Sequence, residues 1–412
     1  MSRCAQPSGR YSPTQLRFPR FRQNQNYKTQ STLCWPCTHL LPPSLRPPCS
    51  ISGHRTRENP KGQRRKCRMK LKMKMQKIGA RIGPKKGCDC PKLLLAVLSP
   101  LSHNVKMAIP MNKLCGLVAA TFTPMTQENE INISVIGQYV DYLVKVQGIK
   151  NIFVNGTTAE GISLTVEERK LLAEEWIKQG KDKLNHVIIH VGSLSIEESK
   201  QLAIHAAKCN ASGIAVISPF FFKPQSIEAL TECLQEVASA APSIPFYYYH
   251  IPEFTGVSLN VVELLDGIEK RIPTFQGVKF TSSDLLDFGQ CVHKFKDRFT
   301  LLYGKDELLL SAIVLGASGA VGSTYNYMGS LCNKMLTYAE RGDYDSAREH
   351  QAVIQEFIGS MSRLGFGVAE NKATMTLVSG IPLGPPRLPL LKCNEEKQAK
   401  ILATLKTLRI LT

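Results

Sequence analysis

The chain has 412 residues, with 52 Lys and Arg against 33 Asp and Glu and a formal net charge of +19. That length admits two domains, or one large α/β barrel of about 250 residues with an appendage. The charge invites a nucleic-acid-binding reading, but its distribution argues against one for the whole chain. Residues 1–106 carry 23 Lys/Arg against Glu58 and Asp89, a net +21, whereas residues 107–412 hold the remaining 29 basic and 31 acidic residues, a net −2. A basic extension precedes a nearly neutral body, and the overall charge says nothing about what the body does.

The extension, 1–106, reads as disordered. Pro36, Pro42, Pro43, Pro47 and Pro48 are dense, and neither a helical nor a strand period persists. Lys61 to Lys77 is strongly basic, with Met69, Leu71, Met73 and Met75 alternating with lysines. Such a run offers a surface for RNA or an acidic membrane, or is simply a solvated tail. Nucleic acid is expected as a partner only through this extension. Leu93 to Leu98 is far too short an apolar run to cross a bilayer. Cys34-Trp-Pro-Cys37 and Cys88-Asp-Cys90 have metal-like or redox-like spacing, but no second pair completes a zinc site. Cys115, Cys209, Cys233, Cys291, Cys332 and Cys393 are scattered through the body, as expected of reduced thiols in a cytoplasmic enzyme. Met107 reads as a plausible native start.

From Cys115 onward strand and helix patterns alternate. Cys115–Pro124 is an apolar strand ended by proline, and Ile133–Val146 is an amphipathic helix with apolar residues at 133, 136, 140, 143 and 144. Asn151–Gly156 is the second strand, and Thr165 with Glu168 forms a capping box for its helix. Val187–Gly192 and Gly213–Pro219 follow, with Ser195 and Ser226 as N-caps of the next helices. Ile244–Tyr249, Thr274–Phe280, Phe299–Tyr303 and Gly319–Ser323 complete eight strands within about 210 residues, which predicts a closed (β/α)8 barrel over 107–342. Residues 343–409 show helical periodicity only and predict a helical addition, 343–412, packed beside the barrel.

Barrel chemistry sits at the C-terminal ends of the strands. Lys279, in the sixth strand, places an amine among apolar neighbours near that mouth. Burial disfavours the charged form of a lysine, and a free amine beside a carbonyl forms a Schiff base. Taken alone, this lysine reads more readily as one that extends its head to water. Asn155-Gly-Thr-Thr-Ala-Glu160 supplies hydroxyl and backbone donors for a carboxylate, or an ordinary capped turn. In Tyr247-Tyr-Tyr-His250, alternation puts Tyr247 and Tyr249 on one face and Tyr248 on the other, while His250 reads as a structural residue of the turn. A phenol at the mouth can shuttle a proton. Gly304-Lys-Asp-Glu307 ends strand seven and Gly322-Ser-Thr-Tyr325 ends strand eight. With no histidine beside Asp306 and Glu307, hydroxyl-rich ligand binding fits that loop better than a metal.

Together the strand-6 lysine, the strand-5 tyrosine and the Gly-Thr-Thr turn make a class I aldolase constellation. Residues 107–412 resemble the N-acetylneuraminate lyases (sialic acid aldolases), in the superfamily that also holds dihydrodipicolinate synthase. The likeness rests on Gly156-Thr-Thr158, Tyr249-His-Ile-Pro252, Gly277-Val-Lys-Phe280, Gly304-Lys-Asp-Glu307, Gly322-Ser-Thr-Tyr-Asn326 and Leu377-Val-Ser-Gly-Ile-Pro-Leu-Gly-Pro-Pro-Arg-Leu-Pro389. The resemblance implies that Lys279 forms the Schiff base and Tyr249 moves the proton during C3–C4 cleavage. It implies that Thr157 and Thr158 hold the substrate carboxylate, that Thr281 lines the site just beyond the lysine, and that Gly304, Asp306, Glu307 and Ser323 bind the polyol tail. It further implies no metal or other cofactor, sialic acid and pyruvate as ligands, no membrane association, a homotetramer and a cytoplasmic location.

Ala159 stands where many relatives have glycine, which strains the loop only if φ there is positive. Dihydrodipicolinate synthases place an arginine after the strand-5 motif and lend a tyrosine from the strand-4 loop. This chain has Glu253 and Phe220-Phe-Phe222 in those places. N-acetylneuraminate cleavage to pyruvate and N-acetylmannosamine is therefore the expected activity. The alternatives are another 2-keto-3-deoxy sugar acid aldolase or a catalytically silent sugar-acid-binding homologue.

Because periodicity starts only at the first strand, a chain beginning at Met107 should fold and turn over substrate as well as the full chain. Insoluble or inactive truncated protein beside active full-length protein would make the extension structural.

Overall fold

A computed structural model of the chain describes residues 113–365 and 367–411. The extension 1–106, its cysteine motifs and Met107 lie outside the described residues. Eight strands, β1 (Gly116–Ala120), β2 (Asn151–Val154), β3 (His186–His190), β4 (Gly213–Ile217), β5 (Phe246–His250), β6 (Phe275–Phe280), β7 (Thr300–Tyr303) and β8 (Gly319–Gly322), pair in parallel in chain order. β1 also pairs with β8, so the barrel is closed. Connecting helices are α1 (Ile136–Lys145), α2 (Val166–Gly180), α3 (Ile196–Lys208), α4 (Ile227–Ser239), α5 (Pro252–Thr255), α6 (Val261–Leu265), α7 (Ile268–Arg271), α8 (Leu285–Phe295) and α9 (Leu309–Leu315). After β8 come α10 (Tyr325–Glu340), α11 (Tyr344–Ser362), α12 (Val368–Ser379) and α13 (Glu395–Thr407).

Strands buried on both faces send alternate side chains inward and outward. The inward set, including Val118, Phe153, Ile188, Ala215, Tyr247, Tyr249, Leu302 and Val321, forms a separate core inside the barrel. The outward set joins the helices, with Tyr248 and Phe280 among it. Caps follow the sequence. Thr165 Oγ1 accepts from the Glu168 N–H at 3.2 Å and the Glu168 carboxylate accepts from the Thr165 N–H at 2.8 Å. Ser195 and Ser226 cap α3 and α4. The helix expected from Ile133 opens with a 3-10 turn, Ile133–Val135, because Asn132 caps Ser134.

One expectation needs correction. Residues 343–409 are not helical throughout, since residues 381–394 run irregularly between α12 and α13. Pro382, Pro385, Pro386 and Pro389 lack the amide donor a helix requires, and Gly384 adopts φ +69°. The cysteines at 115, 209, 233, 291, 332 and 393 are all free.

His250 ends β5 on the outer face, buried, with its ring 4.9 Å from that of Phe280. Burial pushes this imidazole down to about 4, against the opposing pull of Asp284. The folded value lies below the unfolded one, so the associated stability is present above about pH 6.5 and is lost as pH falls toward 4. Urea unfolding at pH 5 should show a loss on the order of 2 kcal/mol from this residue relative to pH 7.5. His250→Gln should lose less between the same two pH values. An unchanged pH dependence in that variant would overturn the assignment.

Candidate active site

Parity around the closed sheet brings the chemistry together. Tyr249 lies in register with Lys279, and Lys279 with Leu302, so all three face the barrel interior near its C-terminal mouth. Lys279 is 5% exposed. Its Nζ lies 4.0 Å from the Tyr249 ring centroid and 4.5 Å from that of Phe153. Both neighbours are ring faces, and no carboxylate among the described residues pairs with it. The amine is therefore held in place without being neutralised in an ion pair. Thr157 Oγ1 and the Tyr249 hydroxyl are 3.2 Å apart, so the phenol and the β2 loop share a hydrogen bond.

After β2 the chain turns through Asn155 (φ +61°) and Glu160 (φ +58°). The turn is closed by the Ala159 and Gly161 N–H groups donating to Gly156 O, and by the Glu160 N–H donating to Thr157 O. These bonds use the carbonyls of the turn and leave its leading amides free. The N–H groups of Thr157 and Thr158 have no partner among the described residues. Two adjacent free amides beside two hydroxyls form a concave donor set for a carboxylate. Ala159 does not adopt positive φ, so its methyl imposes no backbone strain.

Every candidate residue borders one cavity of about 320 Å³: Thr157, Thr158, Tyr249, Lys279, Thr281, Gly304, Asp306, Glu307 and Ser323. Two glycines are demanded by close approach. A Cβ on Gly304 would collide with Thr281 Oγ1, and one on Gly322 with Asp306 Oδ1. Asp306 is buried, and burial pushes its carboxyl upward against the hydrogen bonds from Thr324. Its Oδ2 accepts from the Thr324 N–H at 3.0 Å and from Thr324 Oγ1 at 2.6 Å. Asp306 thus ties the β7 loop to the β8 loop, while Glu307 is more open to the cavity. Lys305 pairs with Glu253 at 2.7 Å and lies 3.9 Å from Glu307.

Several contributors were not found by sequence reasoning. Lys305 sits inside a motif that was read for its neighbours. Asn371, on α12, borders the cavity and donates to Ser323 Oγ at 2.9 Å, and no local signal marks it. His190 ends β3 facing inward, edge-on to Tyr249 at 5.9 Å. Burial, with help from the charges of Arg169 and Lys279, holds its imidazole well below the usual histidine range and therefore neutral. Its Nε2 has no partner among the described residues. Phe221 and Phe222 are exposed on the β4 loop. Among the described residues the one cluster with metal-ligand spacing, Glu174, His205 and Cys209, does not border this cavity.

A (β/α)8 barrel that brings an unpaired amine to its mouth beside a phenol and free amide donors has the parts of a class I aldolase. Residues 113–408 match the Dihydrodipicolinate synthetase family. The chain is 62% identical to mouse N-acetylneuraminate lyase over 307 residues, covering 74% of this chain and 96% of that protein. Identity to the human N-acetylneuraminate lyase is 61% with the same coverage. The solved N-acetylneuraminate lyase (sialic acid aldolase) of Aliivibrio salmonicida superposes with a TM-score of 0.70 at 38% identity, covering 73% of this chain and 99% of that one. A structure described as a catalytic lysine mutant of Ruminococcus gnavus sialic acid aldolase superposes with a TM-score of 0.68 at 29% identity, covering 72% of this chain and 95% of that one. The chain belongs to the dihydrodipicolinate synthetase family.

Proposed function

We propose that this protein is a lyase that cleaves N-acetylneuraminate to pyruvate and N-acetylmannosamine through a Schiff base on Lys279. Identity of about 60% to N-acetylneuraminate lyases across the whole barrel supports the activity and the substrate. The observation that carries the mechanism is the Lys279 amine, buried at the cavity wall and free of any ion pair, beside Tyr249.

Lys279 Nζ attacks the C2 ketone of the open-chain sugar acid, and loss of water leaves an iminium. Thr157 and Thr158 hold the C1 carboxylate through their free amides and hydroxyls. Tyr249 relays the C4 hydroxyl proton, accepting it as its own phenolic proton passes to the substrate carboxylate, and that proton is later available for C3. The C3–C4 bond then breaks, its electron pair moves into the iminium to form an enamine, and the C4 fragment leaves as the aldehyde of N-acetylmannosamine. Protonation of the enamine at C3 and hydrolysis of the iminium release pyruvate and restore the amine. The iminium is the electron sink, so these steps require no metal. Glu307, with Gly304, Asp306 and Ser323, faces the polyol part of the substrate, while Thr281 lines the site just beyond Lys279. A homotetramer in the cytoplasm is the assembly and location proposed by family likeness. No helix among the described residues is long and apolar enough to cross a membrane.

Borohydride reduction in the presence of pyruvate should add one three-carbon adduct, on the peptide containing Lys279. An adduct on another lysine, or none in active protein, would overturn the mechanism. Lys279→Arg should abolish turnover, because a guanidinium stays protonated and cannot be the nucleophile.

A charged hydrogen bond to a substrate hydroxyl is worth about 1.5 to 3 kcal/mol, so Glu307→Gln should weaken sialic acid use roughly 10- to 100-fold. Pyruvate trapping should change little in that variant. Asp306→Asn should weaken sialic acid use similarly and also lower thermal stability, because it loosens the tie to Thr324. Collapse of pyruvate trapping in Glu307→Gln would place that carboxylate in the chemistry instead. Full activity of that variant on a shorter 2-keto-3-deoxy acid, with none on sialic acid in the wild type, would favour another sugar acid aldolase.

A further inference from the structure

The residue that follows the Thr157-Thr158-Ala159 turn is Glu160, whose side chain is 0% exposed. Its Oε1 accepts from Lys372 Nζ at 3.1 Å, and Lys372 is also 0% exposed. Its Oε2 accepts from the Arg387 backbone N–H at 2.6 Å. Lys372 Nζ donates to Pro385 O at 2.8 Å as well. The Arg387 guanidinium completes the contact, meeting both oxygens of Glu168 at 2.7 and 2.8 Å and Asn129 O at 2.8 Å. Helix α12 and the irregular segment after it are thus fastened to the back of the turn whose front carries the free amides.

A fully buried ion pair is a poor device for stability. Desolvation of both groups offsets most of their attraction, and apolar residues of similar volume serve as well or better. Burial lowers the Lys372 ammonium while Glu160 opposes that shift, so the attraction is spent on keeping the charge in place. What the pair does supply is direction. Glu160 is held at both oxygens, its own N–H donates to Thr157 O and the N–H of the next residue, Gly161, donates to Gly156 O, so the place of Glu160 sets the two peptide units that carry the Thr158 and Thr157 N–H groups.

We infer that Lys372 is a positioning residue for the carboxylate end of the active site, acting through Glu160 on the Thr157 and Thr158 amides. The inference rests on the reading that those amides hold the substrate carboxylate. Helix α12 then sets both ends of the cavity, since its neighbouring residue Asn371 holds Ser323 at the other.

The test uses the full chain and two ketones in borohydride trapping on Lys279: pyruvate, and acetone, which lacks the carboxylate. Wild type should trap pyruvate in strong preference to acetone. Lys372→Met should reduce that preference 10-fold or more while leaving acetone trapping within about 3-fold. Because this variant strands a buried carboxylate, it could lose stability, so the paired variant Glu160→Gln/Lys372→Met, with no buried charge, is measured beside it. The same loss of preference in the paired variant, at a thermal midpoint near that of wild type, supports a positioning role. Recovery of both midpoint and preference in the paired variant, or a parallel fall in both ketones, would make the pair structural and overturn the inference. A wild type with no preference for pyruvate would instead remove the carboxylate assignment beneath it, and the inference would fall with that.

Discussion

Closing a parallel sheet on itself fixes which side chains can meet. Alternation leaves each strand only half its residues for the interior, and register decides which of those share a level. Here Tyr249, Lys279 and Leu302 share one, near the mouth. The amine of Lys279 therefore lies against a phenol ring and the Phe153 ring, at the wall of the cavity. A shift of β6 by one residue would send Lys279 into the helical layer and bring Val278 or Phe280 into the cavity. The chemistry depends on parity before it depends on any individual contact.

Two buried lysines show how the same side chain is used in opposite ways. Lys372 is locked between Glu160 and a backbone carbonyl, so its position is defined. Lys279 has ring faces and open cavity for neighbours. In the proposed roles, an amine that bonds to carbon is better without a carboxylate partner, whereas one that holds a loop uses such a partner. The neutral His190 beside Tyr249 extends this pattern, since it fills space between the rings without adding charge next to the amine.

The helical addition belongs to the site as much as the barrel does. Gln351 and Gln355 on α11 donate to the backbone oxygens of Asp306 and Glu307. Asn371 and Lys372 on α12 reach Ser323 and Glu160. The loops after β2, β7 and β8 are each gripped from outside by a helix that follows the barrel in the chain. Loops alone cannot hold catalytic geometry to fractions of an ångström, and packing against rigid helices supplies that constraint.

The eight-strand barrel, its caps at Thr165, Ser195 and Ser226, and the candidate residues Lys279, Tyr249, Thr157 and Thr158 were all legible in the sequence. The barrel and its caps rest on local causes, periodicity of burial and side chains reaching their own helix ends, whereas the four candidate residues were visible only as residue types at strand ends and took their expected roles from the motif resemblance. The absence of helix over residues 381–394 was equally local, written in four prolines, and was missed only because the flanking periodicity dominated the reading. The free state of the Thr157 and Thr158 amides, the tie from Asp306 to Thr324 and the burial of Glu160 against Lys372 were decided by tertiary structure. These are pairings across 18 to 212 positions of chain, or donors left over once all other pairings are made. No spacing rule encodes them, because the partners lie on elements that only the closed barrel and the packing of the last helices against it bring together.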